Sequence, residues 1–245
     1  MTPWRLEVFE SLASTSDLCA ERARRGEAAG LAVTADIQTA GRGSRGRSWV
    51  APPGNLSLSV LLRPATPAAE SGIFSLLAGV AVAAAIQAAL PAGTAAMLKW
   101  PNDVLLDGAK CAGILIDAAP TGTGLDWLVI GIGVNLRHAP EIPGRRTATL
   151  AQHGAVLDAA TFRDAVLGQL AHWLAILQNA GPAAICNAWE ARAHRHGTPI
   201  TVLVAGFKTA GTFAGLAASG ALLLAHGGVI ERIDTGEVLL GRETV

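Results

Sequence analysis

Residues 71–98 carry no charged side chain, and no other stretch of this chain limits its fold as strongly. Within it, Ile73–Leu90 (IFSLLAGVAVAAAIQAAL) has the length of a membrane-spanning helix, which needs about 20 apolar residues. Seven of these eighteen residues are alanine and Gln87 interrupts the run, so the stretch is expected to be a buried core helix that Pro91 ends. The rest of the chain can supply such a core. It has 245 residues, 51% of them apolar, enough for one large domain or a medium one with a small companion.

The 19 basic and 19 acidic residues balance to a formal charge of zero, so the overall composition points to neither a nucleic-acid nor an anionic-membrane partner. Any basic site must be local. Cys19, Cys111 and Cys186 are odd in number and far apart, which argues against a disulfide framework and against a zinc site. Residues 1–10 contain two glutamates and an arginine where a signal peptide would be apolar. A reducing, cytoplasmic setting is expected.

Ser14-Thr15-Ser16-Asp17 offers N-caps and an acidic first turn, and Arg22, Arg24 and Arg25 gather before Gly26, so a helix of about three turns is expected there. Leu31–Gln38 and Leu56–Leu62 alternate apolar and polar residues and read as strands. Trp127–Leu136 also reads as a strand, with Gly131, Gly133 and Asn135 on one face, and bare glycines there mark a face that something approaches closely. Thr161 is expected to cap an amphipathic helix, and a further helical stretch spans residues 185–193. After Thr198, five short strands broken at glycines suggest a small, nearly closed barrel. The class is α+β, divided near residue 190 into segments 1–190 and 191–245.

Two stretches concentrate polar chemistry. In residues 99–117 (KWPNDVLLDGAKCAGILID), Asp107-Gly108 is hairpin-turn chemistry, and Lys110 follows it on a rigid returning strand. Taken alone, that hairpin is also compatible with a solvated surface lysine. Gly41–Arg47 (GRGSRGR) contains GxGxxG, but neither the helix nor the distal acid of a dinucleotide fingerprint follows it. It is either a basic surface or nucleic-acid loop, or a mobile loop whose guanidiniums bind phosphate or carboxylate beside the ring of Trp49.

Together, GRGSRGRSW, KWPNDVLLDGAKCAGILID and GIGVN at 131–135 resemble the biotin protein ligases, also called biotin–[acetyl-CoA-carboxylase] ligases, over nearly the whole chain. The resemblance implies a mixed β-sheet with helices packed on one side, of the class II synthetase and biotin-ligase type, followed by a small SH3-like C-terminal β-barrel. It implies that biotin and ATP give biotinyl-5'-AMP and pyrophosphate, with Mg²⁺, and that biotin then passes to a lysine of a biotin carboxyl carrier domain. Lys110 falls at the catalytic lysine position, as a fixed cation rather than a base, with Arg42 beside it. Ser14, Thr15, Ser16, Gln38, Gly41, Arg42, Gly43, Ser44, Gly113, Leu115 and Gly131 fall at biotin-side positions. Arg45, Arg47, Trp49, Lys99, Asn102 and Asn135 fall on the ATP side, and Asp103 is the candidate Mg²⁺ ligand.

There are two departures, Ser16 where the family often has Asn and Ser44 where it often has Arg; Arg45 or Arg47 compensates for the latter, or the adenylate is held less tightly. The Ser-Thr pair at 14–15 leaves no room for the DNA-binding winged helix some members carry, so no nucleic-acid or membrane partner is expected, and a homodimer is left open. The competing readings are a lipoate or octanoate ligase or transferase of the same fold, and a nucleic-acid-binding module.

Overall fold

The computed structural model describes residues 4–155 and 157–239. In chain order its elements are β1 (Arg5–Leu12), α1 (Thr15–Arg24), β2 (Leu31–Gln38), β3 (Leu56–Leu62), α2 (Gly72–Ala89), β4 (Ala96–Lys99), β5 (Asp103–Leu106), β6 (Ala109–Thr121) and β7 (Gly124–Val134). Then follow α3 (Ala159–Ala180), α4 (Pro182–Glu190), β8 (Pro199–Val204), β9 (Phe207–Leu216), β10 (Leu222–His226), β11 (Val229–Ile233) and β12 (Glu237–Leu239).

The first seven strands form one mixed sheet in the order β1-β2-β3-β7-β6-β5-β4, in which only β1 and β2 run parallel. The last five make the antiparallel sheet β11-β10-β9-β8-β12 of the small C-terminal unit. The α+β class and the SH3-like C-terminal unit stand as expected. The charge-free stretch is α2, a helix long and apolar enough to cross a membrane, yet 67% of it is buried inside the protein. Its apolar surface is spent on α3, α4 and strands β4 to β7, as a helix apolar all round requires.

The helices are not confined to one side. Leu58, Val60, Ile130 and Ile132 join the large core beneath α2, whereas Cys19, Ala20 and Ala23 of α1 pack on Leu31, Val33, Leu61 and Val129 from the opposite face. This follows from strand alternation, which sends neighbouring residues to opposite faces. The large core also continues into Ile200, Val202, Phe213, Leu222 and Val238 of the second sheet. Trp100 Nε1 donates to the Gly220 carbonyl at 3.0 Å across the same junction.

Three local details differ from expectation. Asp158, not Thr161, caps α3: its carboxylate accepts from the Thr161 backbone at 2.8 Å and from the Thr161 hydroxyl at 2.9 Å. Ala159 and Ala160, strong helix formers, extend the first turn back to it. α4 starts earlier, on Pro182, whose fixed φ suits a first turn. β1 and β4 were not anticipated. β1 lies at the sheet's edge with Leu6 and Val8 exposed, so it lacks the buried face that makes a strand visible in sequence.

Candidate active site

The loop after β1 delivers α1 to the sheet. Ser14 caps α1, accepting from the Asp17 backbone at 3.3 Å. The Thr15 backbone N–H donates to Gln38 Oε1 at 2.8 Å and its hydroxyl lies 3.2 Å from the same oxygen, which fixes the amide of Gln38 at the end of β2. Thr15 Oγ1 and Ser16 Oγ lie 2.8 and 3.0 Å from Ser59 Oγ on β3, a chain of buried hydroxyls. Ser59 is paired in register with Gly131 of β7, and Gly131 with Leu115 of β6. A Cβ at Gly131 would overlap Ser16 Oγ, so the bare strand position admits α1. Apart from Ser59, which lies beneath them, these groups line a small pocket together with Arg42, Gly43, Ser44, Asn102, Gly113 and Ile132.

Next to this pocket lies a larger cavity, and the two share Gly43, Ser44, Trp49 and Lys110. Trp49 is the dividing wall. A Cβ at Gly133 would lie inside its indole, and one at Gly113 would sit 3.2 Å from its ring. Lys110 Nζ stands 5.6 Å from the indole centroid. Lysine over an aromatic face is attracted by the ring quadrupole. Five cations line the larger cavity, Arg47, Lys99, Lys110, Arg145 and Arg146, against two acids, Asp103 and Glu141. The neutral chain therefore carries a local cationic chamber, suited to several phosphates.

Lys110 is mounted from both sides. The pairing of β5 with β6 shifts register at Val104/Leu105, placing Lys110 opposite Leu105. The Lys110 backbone N–H then donates to the Arg146 carbonyl at 2.9 Å, and the Ala148 N–H donates to the Lys110 carbonyl at 2.9 Å. Its ammonium is ion-paired with Asp103, whose other oxygen lies 3.9 Å from Lys99. Asp103 is thus a buried carboxylate shared by two lysines. Arg42, in contrast, is tied to Asp117 of β6 and, at 2.9 Å, to Asp17 of α1. Burial works against its charge, but hydrogen bonding and attraction from Asp117, then Asp17, outweigh that and raise its pKa further. Cys111, next to Lys110, is pushed up to about 12 by burial and is no nucleophile at neutral pH.

A model of the biotin/lipoate A/B protein ligase family matches residues 8–135, just over half of the sequence, including every strand that walls the two cavities. The chain belongs to that family. The biotin--[acetyl-CoA-carboxylase] ligase of Paracoccus denitrificans is 39% identical over 215 residues, covering 85% of this chain and 90% of the relative. The ligase of the same name from Mycobacterium tuberculosis is 34% identical over 245 residues, covering 96% and 89%. Among solved structures, the biotin protein ligase from Aquifex aeolicus in complex with biotin and ATP superposes with a TM-score of 0.81 at 28% identity, over 97% of this chain and 99% of that one.

Most residues expected from the family resemblance meet at these cavities. Ser14, Thr15, Ser16, Gln38, Arg42, Gly113, Leu115 and Gly131 line the smaller one, and Arg47, Lys99 and Asn135 the larger. Asn135 donates to the Ala148 carbonyl at 3.3 Å, while its buried Oδ1 has no partner among the described residues. Four placements differ. Asn102 lines the smaller cavity rather than the larger, because its Nδ2 donates back to the Ile114 carbonyl at 2.7 Å. Arg45 lines neither and pairs with Glu237 at 2.9 Å. Gly41 lines neither; a Cβ there would overlap the Trp49 carbonyl, so it permits the loop to close on itself. Asp103 faces two lysines, and no group of three His, Cys, Asp or Glu side chains gathers among the described residues. That donor set does not fit a resident Mg²⁺, which wants several free oxygen ligands.

Sequence reading missed Ser59, Asp117, Arg145, Arg146 and Glu237. For Ser59 there was a signal, the alternation of LSLSVLL that puts Ser57 and Ser59 on one face. The other four gain meaning only from partners far away in sequence.

Proposed function

We infer that this chain is a biotin protein ligase, and the observation that carries this reading is a lysine set in the wall between two chambers of unequal size and charge. The smaller chamber, with its amide and hydroxyl chain, takes biotin; the cationic one takes ATP, with Asn135 Oδ1 an open acceptor for a donor group of the nucleotide. In the first step an oxygen of the biotin carboxylate bonds to the α-phosphorus as the bond to the bridging oxygen breaks, giving biotinyl-AMP and pyrophosphate. Lys110 faces both reacting anions and stabilises the charge that builds between them, as a fixed cation does best. In the second, an acceptor lysine attacks the biotinyl carbonyl, AMP leaves with the electron pair, and the amine loses a proton. A divalent ion arriving on ATP is part of that substrate.

The acceptor is read as a biotin carboxyl carrier domain in the cytoplasm. A wide groove that shares Asn102, Ile114 and Leu115 with the biotin chamber gives its lysine a way in. We divide the chain functionally near residue 190, and the exposed edge of β1 would suit a homodimer. Biotin-dependent exchange of pyrophosphate into ATP tests the main reading. Exchange with biotin is expected; none with biotin, or exchange with lipoate instead, would overturn it.

The Ser44 departure also gains an account. Arg47 Nε donates to the Ser44 carbonyl at 3.2 Å and Nη2 to its hydroxyl at 3.0 Å, so the guanidinium folds over the residue that lacks a cation, within the ATP chamber. Arg47, not Arg45, is the compensating residue. Losing one charge-assisted hydrogen bond costs about 1.5–3 kcal/mol, so Arg47→Met is expected to release biotinyl-AMP about tenfold faster or more. Adding Ser44→Arg should restore most of the retention. If Ser44→Arg alone slowed release as much as Arg47→Met speeds it, the compensation would be refuted.

A further inference from the structure

Beyond the last pair of the two central strands, Leu56 of β3 with Val134 of β7, the chain leaves the sheet and runs irregularly from 137 to 147. This segment supplies Pro140, Glu141, Ile142, Arg145, Arg146 and Thr147 to the ATP chamber and nothing to the biotin chamber. With no strand ladder to fix it, its backbone groups must find partners elsewhere. At the far end Arg146 accepts from, and Ala148 donates to, the Lys110 backbone, and Thr147 Oγ1 donates to the Pro140 carbonyl at 2.8 Å, which draws the loop together at its base. The near end is gripped by Asn55. Only 3% exposed, it accepts with Oδ1 from three successive backbone N–H groups, those of Leu136 at 3.1 Å, Arg137 at 3.0 Å and His138 at 3.1 Å. Its Nδ2 donates to the His138 carbonyl at 2.7 Å. An asparagine that ends a Pro-Pro-Gly turn ordinarily bonds its own neighbours. Here the side chain instead serves a segment 81–83 residues further on, where consecutive N–H groups converge on one oxygen as in a backbone nest.

We propose that Asn55 is a positioning residue for the ATP half-reaction: it fixes the direction in which the chain leaves β7 and so sets segment 137–147 as a preformed wall of the ATP chamber. The proposal rests on the reading of this chain as a biotin protein ligase. Without Oδ1 the three N–H groups turn to water and the segment keeps its firm hold only at the Lys110 end. Nucleotide binding must then order it at the moment of association. Arg145 and Arg146 would meet the phosphates from several positions rather than one, and the open Oδ1 of Asn135, one residue before the lost contact, would shift with them. The biotin chamber, whose lining stops at Gly133 on β7, is left in place.

Two measurements on the full chain test this. In the ligand-free protein, amide hydrogen exchange of residues 137–147 should quicken about tenfold or more in Asn55→Ala, while β3 and β7 keep their protection. In biotin-dependent pyrophosphate exchange the same variant is expected to raise the KM for ATP at least about tenfold and to change the KM for biotin less than about twofold. Asn55→Asp keeps an acceptor for the three N–H groups but loses the donor to the His138 carbonyl, so it should fall between the parent and Asn55→Ala in both measurements. Unchanged hydrogen exchange, an unchanged KM for ATP, or equal rises for ATP and biotin would overturn the proposal. If the parent shows no biotin-dependent exchange, the ligase reading fails and the role in the ATP half-reaction fails with it, whereas hydrogen exchange still judges the hold of Asn55 on the segment. Should Asn55→Ala fail to fold, Asn55→Asp carries the test: a rise of about two- to fivefold in the KM for ATP alone is expected from one lost hydrogen bond, and no rise would count against the proposal just as directly.

Discussion

Lys110→Met is expected to lower biotin-dependent pyrophosphate exchange by about 10²–10³-fold, the usual loss when one fixed stabiliser of developing charge is removed. The substitution has a second consequence that must be kept apart from the first. It leaves Asp103 buried with only Lys99, at 3.9 Å, to balance it. Breaking a fully buried pair costs about 3–5 kcal/mol, and because Lys110 is 23% exposed the loss here should be nearer 1–3 kcal/mol. Asp103→Asn in the same chain removes the stranded charge. The double variant should therefore recover thermal stability while exchange stays as low as in Lys110→Met. Recovery of exchange along with stability would show that Lys110 serves the fold and not the chemistry.

The second large effect is expected at two glycines two residues apart on β7, and its two parts should separate. Gly131→Ala drives a methyl group into Ser16 Oγ and disturbs the hydroxyls shared with Ser59, so the KM for biotin should rise. Gly133→Ala drives one into the Trp49 indole, a rigid ring that has no small rotation to escape by, and here the KM for ATP should rise more steeply. Overpacking of this kind costs about 1–3 kcal/mol, so changes of about 10–100-fold are expected. Steady-state kinetics with each substrate varied in turn checks the split. Equal effects of both substitutions on both substrates would mean that Trp49 does not divide the site.

The elements that could be read from the sequence were those with a complete local signal. α1 had a serine cap and terminal arginines, β2 and β3 had clean alternation, and the β5–β6 hairpin had its Asp107-Gly108 turn. Asp107 and Gly108 do take positive φ, 48° and 73°. β1 and β4 lacked that signal, the first because its face is exposed and the second because four residues are too few to alternate convincingly. The site divided in the same way. Lys110, Trp49, Gln38 and the strand glycines announce themselves by residue type and spacing. Arg145 and Glu237 do not, since an arginine at 145 and an acid at 237 are ordinary until the fold places them 2.7 Å apart. The bare positions Gly131 and Gly133 mark a strand face that something approaches closely, and the groups that approach are Ser16 and Trp49.

The wall of Trp49 and Lys110 also bears on what happens between the two half-reactions. On the proposed reading biotin and ATP each take one chamber, and the adenylate they form would reach through the wall into both. It is then a divalent guest: releasing one end leaves the other bound at high effective concentration, and such linkage can exceed either single affinity by about 10²–10⁴-fold. The reactive anhydride is thereby retained through its own length until an acceptor lysine severs it, and each fragment departs with only one chamber to hold it.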